Sequence, residues 1–289
     1  MQKLIQKANV LIEALPYIQS FRDSTVVVKA GGSFMENREA LRGVLKDLVL
    51  LECFGIRVVL VHGGGKAINA RLKAEQVETK FINGLRYTCD KTIRIVDDVL
   101  HNTINAELAA TIRELGGKPC PVSGKNVLRA ERIFEKDAAG NELDLGFVGQ
   151  VVNVDTEQIG WITARREIPV VTPLAKDMNG VVYNINADMA ACKVAALLKA
   201  RKLVFLSDVP GILRDPKDEA SLISTIRASE VPAMVADGTL SGGMLPKVNS
   251  AVAALNAGCE KVHMIDGRIA HSLLLEIFTD QGIGTQIIQ

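Results

Sequence analysis

The chain has 289 residues, of which 48% are hydrophobic and 4% aromatic, and this suits a large α/β domain or two smaller domains that share a sheet. Its 34 lysines and arginines balance 33 aspartates and glutamates, so net charge gives no support for binding to nucleic acid or to a membrane surface. Five scattered cysteines form no CxxC pair, which argues against a disulfide framework and a zinc site. The balanced charge makes a small molecule the expected partner. Because no export signal is visible, we expect a cytoplasmic protein.

The first predicted element is an amphipathic helix over residues 2–21. Its apolar residues recur at helical spacing and form one stripe that ends near Pro16. An element placed before the first strand has no position to fill in a sheet. We therefore interpret residues 1–24 as an oligomerisation helix, with packing on its own domain as the alternative.

Two predicted strands each stop at consecutive glycines. TVVVK (25–29) leads into Gly31-Gly32, and VVLVH (58–62) leads into Gly63-Gly64-Gly65. Runs of apolar residues without alternation are typical of strands that are covered on both faces. Glycine leaves backbone N–H groups uncovered, and a helix N-terminus that follows favours negative charge. The pattern predicts an anion site at the carboxyl ends of parallel strands.

The rest of the chain continues the α/β pattern. Residues 79–89 predict a loop or short hairpin, and residues 127–154 predict a longer hairpin that leaves the main sheet. From Asp188 onward, helices and strands alternate regularly, and residues 238–247 form a glycine-bearing loop before a helix. We divide the chain into an N-terminal lobe at 25–178 and a C-terminal lobe at 179–289.

Several well-known signatures are absent. A Walker loop would need glycine where Pro119 precedes Ser123-Gly124-Lys125, and a dinucleotide fingerprint would need a third glycine where Ile68 stands. The HGGG stretch also occurs in α/β-hydrolases, but the GxSxG nucleophile motif of that class is missing. The histidines at 62, 101 and 263 are interpreted as structural.

Three charged residues stand at turn positions and suggest a reaction. Lys29 ends the first strand, Lys247 follows the glycine-bearing loop, and Asp188 stands where a helix begins. Two ammonium groups could clamp a transferring phosphoryl group while the carboxylate holds them apart. A carboxylate acceptor is already ionised and needs no general base. This set of residues therefore suits phosphoryl transfer to a carboxylate.

The motifs VVVKAGGS, VVLVHGGGK, NGLRYT, LGFVGQV, YNINADMAA, LVFLSDVPGIL and SGGMLPKV, in this order, resemble the amino acid kinase family. Within it they are similar to the branch that phosphorylates N-acetyl-L-glutamate in arginine biosynthesis. The resemblance covers residues 25–289. It implies a three-layer αβα sandwich around an open, mainly parallel sheet of about eight strands, with ATP as phosphoryl donor and Mg²⁺ on its phosphates.

The resemblance also implies roles for individual residues. It makes Lys29 and Lys247 stabilisers of the transition state and Asp188 their organiser. The residues implied to bind the acyl substrate are Gly64, Gly65, Arg86 and Asn184. Those implied to bind nucleotide are Gly31, Gly32 and Asp208. The family commonly has SGKDG where this chain has Ser123-Gly124-Lys125-Asn126-Val127, so that turn receives no role.

The additional helix and the ending HSLLLEIFTDQGIG resemble the arginine-inhibited branch of the family, in which such a helix links dimers into a hexamer. The resemblance implies an arginine site at Tyr17, His271, Glu276 and Gly282 and a homohexamer built as a trimer of dimers. For Glu276 the alternative is a solvated helix residue. Two other functions stay open: a sibling kinase acting on another carboxylate or on carbamate, and an arginine sensor without turnover.

Overall fold

The structure is a computed structural model that describes residues 1–137, 139–279 and 282–289. In these ranges, no helix has the length and apolar character needed to cross a membrane. The described residues form one eight-stranded sheet with helices on both faces, a smaller ring of four strands and a short hairpin.

The central sheet has the strand order β12-β14-β13-β11-β1-β2-β8-β5. All neighbouring strands run parallel except β13 and β14, so the prediction of a mainly parallel sheet of about eight strands is confirmed. Its strands are β1 (Thr25–Ala30), β2 (Arg57–His62), β5 (Pro119–Val122), β8 (Ile168–Val171), β11 (Lys202–Ser207), β12 (Thr225–Arg227), β13 (Val262–Asp266) and β14 (Thr285–Ile288).

The central strands are buried on both faces. Val26 and Val28 belong to one apolar cluster and Val27 belongs to the other, because successive side chains of a strand point to opposite faces. Lys29 therefore points to the same face as Val27. This face is the one covered by the helix that carries Asp188.

Helices cover both faces of the sheet and complete the three layers. They are α3 (Arg38–Cys53), α4 (Gly65–Ala74), α5 (Asp90–Asp98), α6 (Ala106–Glu114), α7 (Gly124–Val127), α8 (Thr156–Ala164), α9 (Ala187–Leu197), α10 (Val231–Ala236), α11 (Met244–Asn256) and α12 (Ser272–Ile277). A short π-helix, Val99–Asn105, joins α5 to α6 and is called the π-turn segment below. The sequence of residues 93–116 has a strong helical pattern that predicts one continuous helix, and it does not indicate this change in helical pitch.

The predicted hairpins are both present. The short hairpin pairs β3 (Phe81–Ile82) with β4 (Leu85–Arg86). The longer hairpin pairs β6 (Leu128–Lys136) with β7 (Glu142–Val154), and these strands form a closed ring with β9 (Leu174–Lys176) and β10 (Val182–Ile185). The ring and the short hairpin lie beside the carboxyl ends of the central strands.

Two local predictions need correction. The N-terminal segment forms two helices, α1 (Gln2–Glu13) and α2 (Leu15–Phe21), because Pro16 lacks the N–H that a continuous helix would use and is tolerated only in a first turn. Lys247 lies in the first turn of α11 and not in a loop. Pro246, also in that first turn, is compatible with a helix start.

Candidate active site

One carboxylate joins two lysines from separate elements. The Nζ of Lys29, at the end of β1, lies 2.7 Å from Oδ1 of Asp188, and the Nζ of Lys247 lies 2.7 Å from Oδ2 of the same residue. Asp188 is fixed at the start of α9 because the side chain of Asn186 accepts hydrogen bonds from the backbone of residues 188 and 189. The three predicted catalytic residues are therefore brought together.

The protonation of this cluster is set by burial and by its own charges. Burial lowers the pKa of Lys29, and the adjacent Asp188 opposes that shift. Burial acts to raise the pKa of Asp188, but Lys29 and Lys247 together outweigh it and hold the pKa below the usual value. Asp188 is consequently a carboxylate at neutral pH, and the cluster presents two cations around one anion.

The glycine turns pack against the cluster and against each other. A side chain at Gly31 would collide with the ammonium end of Lys29, and a Cβ at Gly63 would lie 3.6 Å from Cα of Gly31. Gly63 donates from its N–H to the carbonyl of Ala30 over 2.7 Å. At Gly65, no heavy atom of the described residues beyond its chain neighbours and its own helix backbone lies within 4 Å of the position where a Cβ would stand. The turns therefore leave room for a ligand directly beside Lys29.

A cavity of about 210 Å³ lies between these turns, the short hairpin and β10. Its lining includes Lys29, Gly64, Gly65, Arg86, Asn184 and Asp188. The predicted acyl-substrate residues and two of the three catalytic residues thus share one cavity. Gly64 caps α4, a helix of ten residues, and Gly65 is the first residue of that helix. Their N–H groups have no helical acceptor and are suited to an anion.

Arg86 is held in the cavity wall with an unused donor. Its side chain is 8% exposed, its guanidinium lies 4.7 Å from the ring centre of the cross-strand residue Phe81, and Nη2 lies 3.4 Å from the carbonyl of Gly65. Nη1 is buried without a partner among the described residues. A buried guanidinium with an unpaired donor is strongly favoured to bind a carboxylate.

Asn184 is tied to the same wall through a threonine. Its Nδ2 donates to Oγ1 of Thr88 over 3.2 Å, and the Thr88 hydroxyl donates to the carbonyl of Arg86 over 2.8 Å. The chain of hydrogen bonds joins the strand ring to the short hairpin. Asn184 and Arg86 are therefore positioned together.

The predicted nucleotide residues lie at the ends of two adjacent strands. Gly32 has a φ of 80°, a conformation that glycine adopts without strain, and the hydroxyl of Ser33 donates to the Asp208 carboxylate. Because β1 and β11 are neighbours, the Gly31-Gly32 turn and the Asp208 turn meet on one side of the cluster. Within the described ranges, no group of three or more metal-ligating side chains could hold a metal ion.

A second cavity of about 370 Å³ lies between α2, α12 and the ends of strands of the C-terminal lobe. Tyr17, Glu276 and Gly282 line it. Glu276 is 6% exposed, so the interpretation of a solvated helix residue is wrong. Its Oε1 lies 2.5 Å from Nδ1 of His263, and its Oε2 accepts from the N–H of Ile283 over 3.0 Å.

His271 is placed differently from the other three predicted residues. It is outside the lining of this cavity, and its Nδ1 lies 2.7 Å from Oδ1 of the buried Asp47 on α3. Burial raises the pKa of Asp47, and His271 opposes that shift. His271 directly precedes α12 and has a φ of 57°.

Sequence reasoning missed the cations of the second cavity, which are Arg201, Lys202 and Lys261. Lys202 donates to the backbone carbonyl of Glu276 over 3.0 Å, and burial lowers its pKa to about 8. Arg201 donates to Oγ of Ser20 over 2.7 Å and lies 4.0 Å from the ring centre of Phe21. Two adjacent basic residues, Arg201 and Lys202, stand at the start of an otherwise apolar strand. Their burial would be costly without a partner, and this was the signal in the sequence for a binding site.

Comparison with known proteins identifies the family of the chain. Residues 24–266 match the model of the amino acid kinase family. An acetylglutamate kinase of Akkermansia muciniphila is 46% identical over 288 residues, which cover 99% of this chain and 97% of the relative.

Two solved structures of N-acetylglutamate synthase from Neisseria gonorrhoeae are also similar. The complex with coenzyme A and N-acetyl-glutamate is 29% identical with a TM-score of 0.84, and the match covers 96% of this chain and 62% of the synthase chain. The complex with coenzyme A and L-arginine is 28% identical with a TM-score of 0.79 and covers 96% and 64%. On the family match and the identity to a full-length relative, the chain belongs to the amino acid kinase family.

Proposed function

We propose that this enzyme transfers the γ-phosphoryl group of ATP to the γ-carboxylate of N-acetyl-L-glutamate and forms N-acetyl-L-glutamyl 5-phosphate. The observation that carries the proposal is the single carboxylate, Asp188, which lines a cavity and lies 2.7 Å from the Nζ atoms of both Lys29 and Lys247. The wall of that cavity holds a buried arginine whose Nη1 has no partner among the described residues. Acetylglutamate kinase is also the name of a relative at 46% identity over nearly the whole chain.

The reaction follows from the charges of the site. A γ-carboxylate oxygen attacks the γ-phosphorus, the bond from that phosphorus to the β–γ bridging oxygen breaks, and ADP leaves with the electron pair. Lys29 and Lys247 neutralise the charge that spreads over the phosphoryl oxygens, and the N–H groups of Gly64 and Gly65 add fixed dipoles. Asp188 stays ionised and holds the two ammonium groups in position.

Substrate selection is assigned to the wall of the cavity. Arg86 would bind the α-carboxylate of the acceptor through Nη1. Asn184 lies beside it and offers an amide to the acetamido group. An acceptor that carries a second carboxylate, able to reach Arg86 while the first one reacts, therefore fits better than carbamate. Carbamate would leave Arg86 without an anionic partner.

Mg²⁺ is proposed to enter with the phosphates of ATP. The carboxylate that lines the cavity, Asp188, is already bonded to two lysines at 2.7 Å, and the described residues hold no ligand cluster for a metal. Magnesium commonly keeps its waters and binds substrate phosphates. The nucleotide would lie by the Gly31-Gly32 turn and the Asp208 turn.

A coupled ADP-release assay with a panel of acceptors tests the reaction. N-acetyl-L-glutamate should support turnover, whereas L-glutamate, L-aspartate, carbamate and uridylate should give less than about 1% of its kcat/KM. Hydroxylamine should trap the product as a hydroxamate, which separates acyl phosphate formation from ATP hydrolysis. Equal or better turnover with another acceptor would assign the chain to a sibling kinase. Arginine binding without turnover would identify a sensor.

We further propose that arginine binds in the second cavity and inhibits the enzyme. The cavity combines a buried carboxylate, Glu276, with the cations Arg201, Lys202 and Lys261, and this suits the guanidinium and α-carboxylate of one arginine molecule. The related synthase has been solved with L-arginine. Because α2 forms one wall of the cavity, a ligand there can favour one placement of the N-terminal helices over another.

A homohexamer, built as a trimer of dimers, completes the proposal. The exposed apolar residues of the two N-terminal helices, Leu4, Ile5, Leu11, Ile12 and Leu15, are 43% to 67% exposed in the single chain. A stripe of this kind is suited to burial against another copy. Deleting residues 1–20 should convert hexamers into dimers in light scattering and should weaken inhibition by arginine. A truncated protein that stays hexameric would contradict the assembly.

A further inference from the structure

A buried chain of hydrogen bonds links strand β8 to the glycine turn that follows β2. Asn105 donates from Nδ2 to the carbonyl of Val170 over 2.7 Å, and the same Nδ2 lies 3.1 Å from Nε2 of His62. Nδ1 of His62 lies 3.0 Å from the carbonyl of Gly63. His62 and Asn105 have no exposed surface, so this chain runs from strand β8 through the core to the turn.

Each link of the chain fixes the direction of the next one. The Val170 carbonyl can only accept, so it selects the amide nitrogen of Asn105. That nitrogen can only donate, so Nε2 of His62 must accept and carry no proton. Nδ1 must then carry the proton and donate it to the Gly63 carbonyl. Burial lowers the pKa of His62 to about 4, which keeps the neutral ring that this arrangement requires.

The π-turn segment supplies both polar and apolar support to the same turn. A Cβ at Gly64 would lie 2.7 Å from Cδ2 of Leu100 and 2.6 Å from Cδ1 of Ile104. Hydrogen bonding from residue i to i+5 places Leu100 and Asn105 on the same side of this segment. A regular α-helix would rotate one of them away. Because of this pitch, the same segment packs Leu100 against Gly64 and hydrogen-bonds Asn105 to His62.

We propose that Asn105 and His62 are positioning residues for phosphoryl transfer. The chain sets the depth of the Gly63-Gly64-Gly65 turn, so that the N–H groups of Gly64 and Gly65 point at the transferring group. This inference rests on the proposed function, because that function places the phosphoryl group beside the turn. A displacement of the donors by about 1 Å can reduce a rate by up to about 100-fold.

The kinetic test uses a matched pair of substitutions in the π-turn segment. Asn105→Leu removes the buried donor, whereas Asn102→Leu changes an exposed asparagine whose Nδ2 donates to Asp98 over 2.8 Å. We expect Asn105→Leu to lower kcat at least 10-fold while the KM for ATP changes less than about twofold. Asn102→Leu should behave like the wild type. Equal kcat in the two variants, with both folded by circular dichroism, would overturn the proposal.

A second comparison separates positioning from packing at His62. His62→Asn keeps a side-chain N–H that can reach the Gly63 carbonyl, whereas His62→Leu fills space without a donor. The asparagine variant should retain several-fold more kcat than the leucine variant. Equal losses would show that only volume matters and would contradict the directional chain.

A spectroscopic test requires neither turnover nor a folded variant. In wild-type protein with ¹⁵N-labelled histidine, long-range ¹H–¹⁵N spectra should show His62 as the neutral Nδ1–H tautomer from about pH 6 to about pH 9. An Nε2–H tautomer or an imidazolium in that range would overturn the chain. If the tautomer is confirmed while the acceptor assay shows no acetylglutamate-dependent turnover, the proposed function is wrong, whereas the buried hydrogen-bond chain through His62 is still supported.

Discussion

A Cβ atom at position 31 would lie 2.7 Å from Cε of Lys29, so Gly31 leaves the space through which the lysine reaches Asp188. Gly31→Ala should lower kcat about 10-fold, because the ammonium group must move away from the transferring phosphoryl group. The lysine end is flexible, so the free energy of unfolding should change little. Steady-state kinetics and urea unfolding measure the two quantities.

Gly43→Ala is the matched control for that substitution. Gly43 lies within α3, and among the described residues no heavy atom beyond its chain neighbours and its own helix backbone lies within 4 Å of its Cβ position. Alanine there should leave kcat unchanged and stabilise the helix by about 0.5–1 kcal/mol. A Gly31→Ala enzyme with the kcat of the control would show that the glycine is not needed for Lys29.

Removal of either lysine of the cluster should reduce activity without unfolding the protein. Lys29→Ala and Lys247→Ala should each lower kcat about 100-fold or more, since each removes one cation that stabilises transition-state charge. Lys118→Ala, at an exposed position, is the control. Circular dichroism checks the fold, and a lysine variant with nearly full kcat would remove that residue from the mechanism.

Arg86→Ala should affect the two substrates unequally. Loss of the carboxylate partner should raise the KM for N-acetyl-L-glutamate about 10-fold or more and leave the KM for ATP nearly unchanged. Arg132→Ala is a matched control, because Arg132 also lies over an aromatic ring, 5.0 Å from the centre of Phe134, but outside the cavity lining. Equal increases in both KM values would contradict the assignment of Arg86.

His62 should make stability depend on pH. Its folded-state pKa is about 4, below the ordinary value of 6.5, so between these values the unfolded chain binds more protons than the folded one. Stability from the neutral ring is therefore complete above pH 6.5 and is lost as the pH falls toward about 4, by up to about 3 kcal/mol. Urea unfolding at about pH 7.5, 6 and 5 should show a smaller loss in His62→Gln than in the wild type. Parallel losses would exclude His62 as the source.

Glu276→Gln should separate regulation from catalysis. The substitution keeps the shape of the side chain but removes the charge that would meet a guanidinium, so the arginine concentration for half-inhibition should rise at least about 10-fold. Without arginine, kcat should be unchanged. Glu157→Gln, on α8 and away from both cavities, is the control. Calorimetry with arginine measures binding directly, and unchanged affinity in Glu276→Gln would place the effector elsewhere.

The sequence predicts the main sheet and the lysine cluster well because both depend on local patterns. Unbroken apolar runs identify buried strands, and the residues at their carboxyl ends must meet at one edge of a parallel sheet. Lys29 could therefore be placed at this edge from the sequence alone, whereas Asp188 was identified by its position at the start of a helix. Lys247 was identified as well, although its place in the first turn of α11 was not.

Features that depend on contacts between distant segments could not be predicted. Glu276 is buried because His263, on β13, and Ile283 approach it, and helical spacing alone does not distinguish this from a solvated position. His62 was interpreted as structural and is fully buried, but its link to Asn105 depends on the π-turn segment and could not be predicted. A sequence with strong helix formers on both sides shows no sign of that turn.

The position of β1 between β2 and β11 limits how this enzyme can open. Five consecutive residue pairs, from Val26 with Lys202 to Ala30 with Leu206, join β1 to β11, and the division between residues 178 and 179 falls between these strands in the sequence. A hinge that parted the lobes would have to break this ladder in the centre of a buried sheet, where unpaired backbone groups are costly. We therefore expect substrate binding and release to involve changes of sheet twist and movements at the rim of the sheet, with the strands still paired.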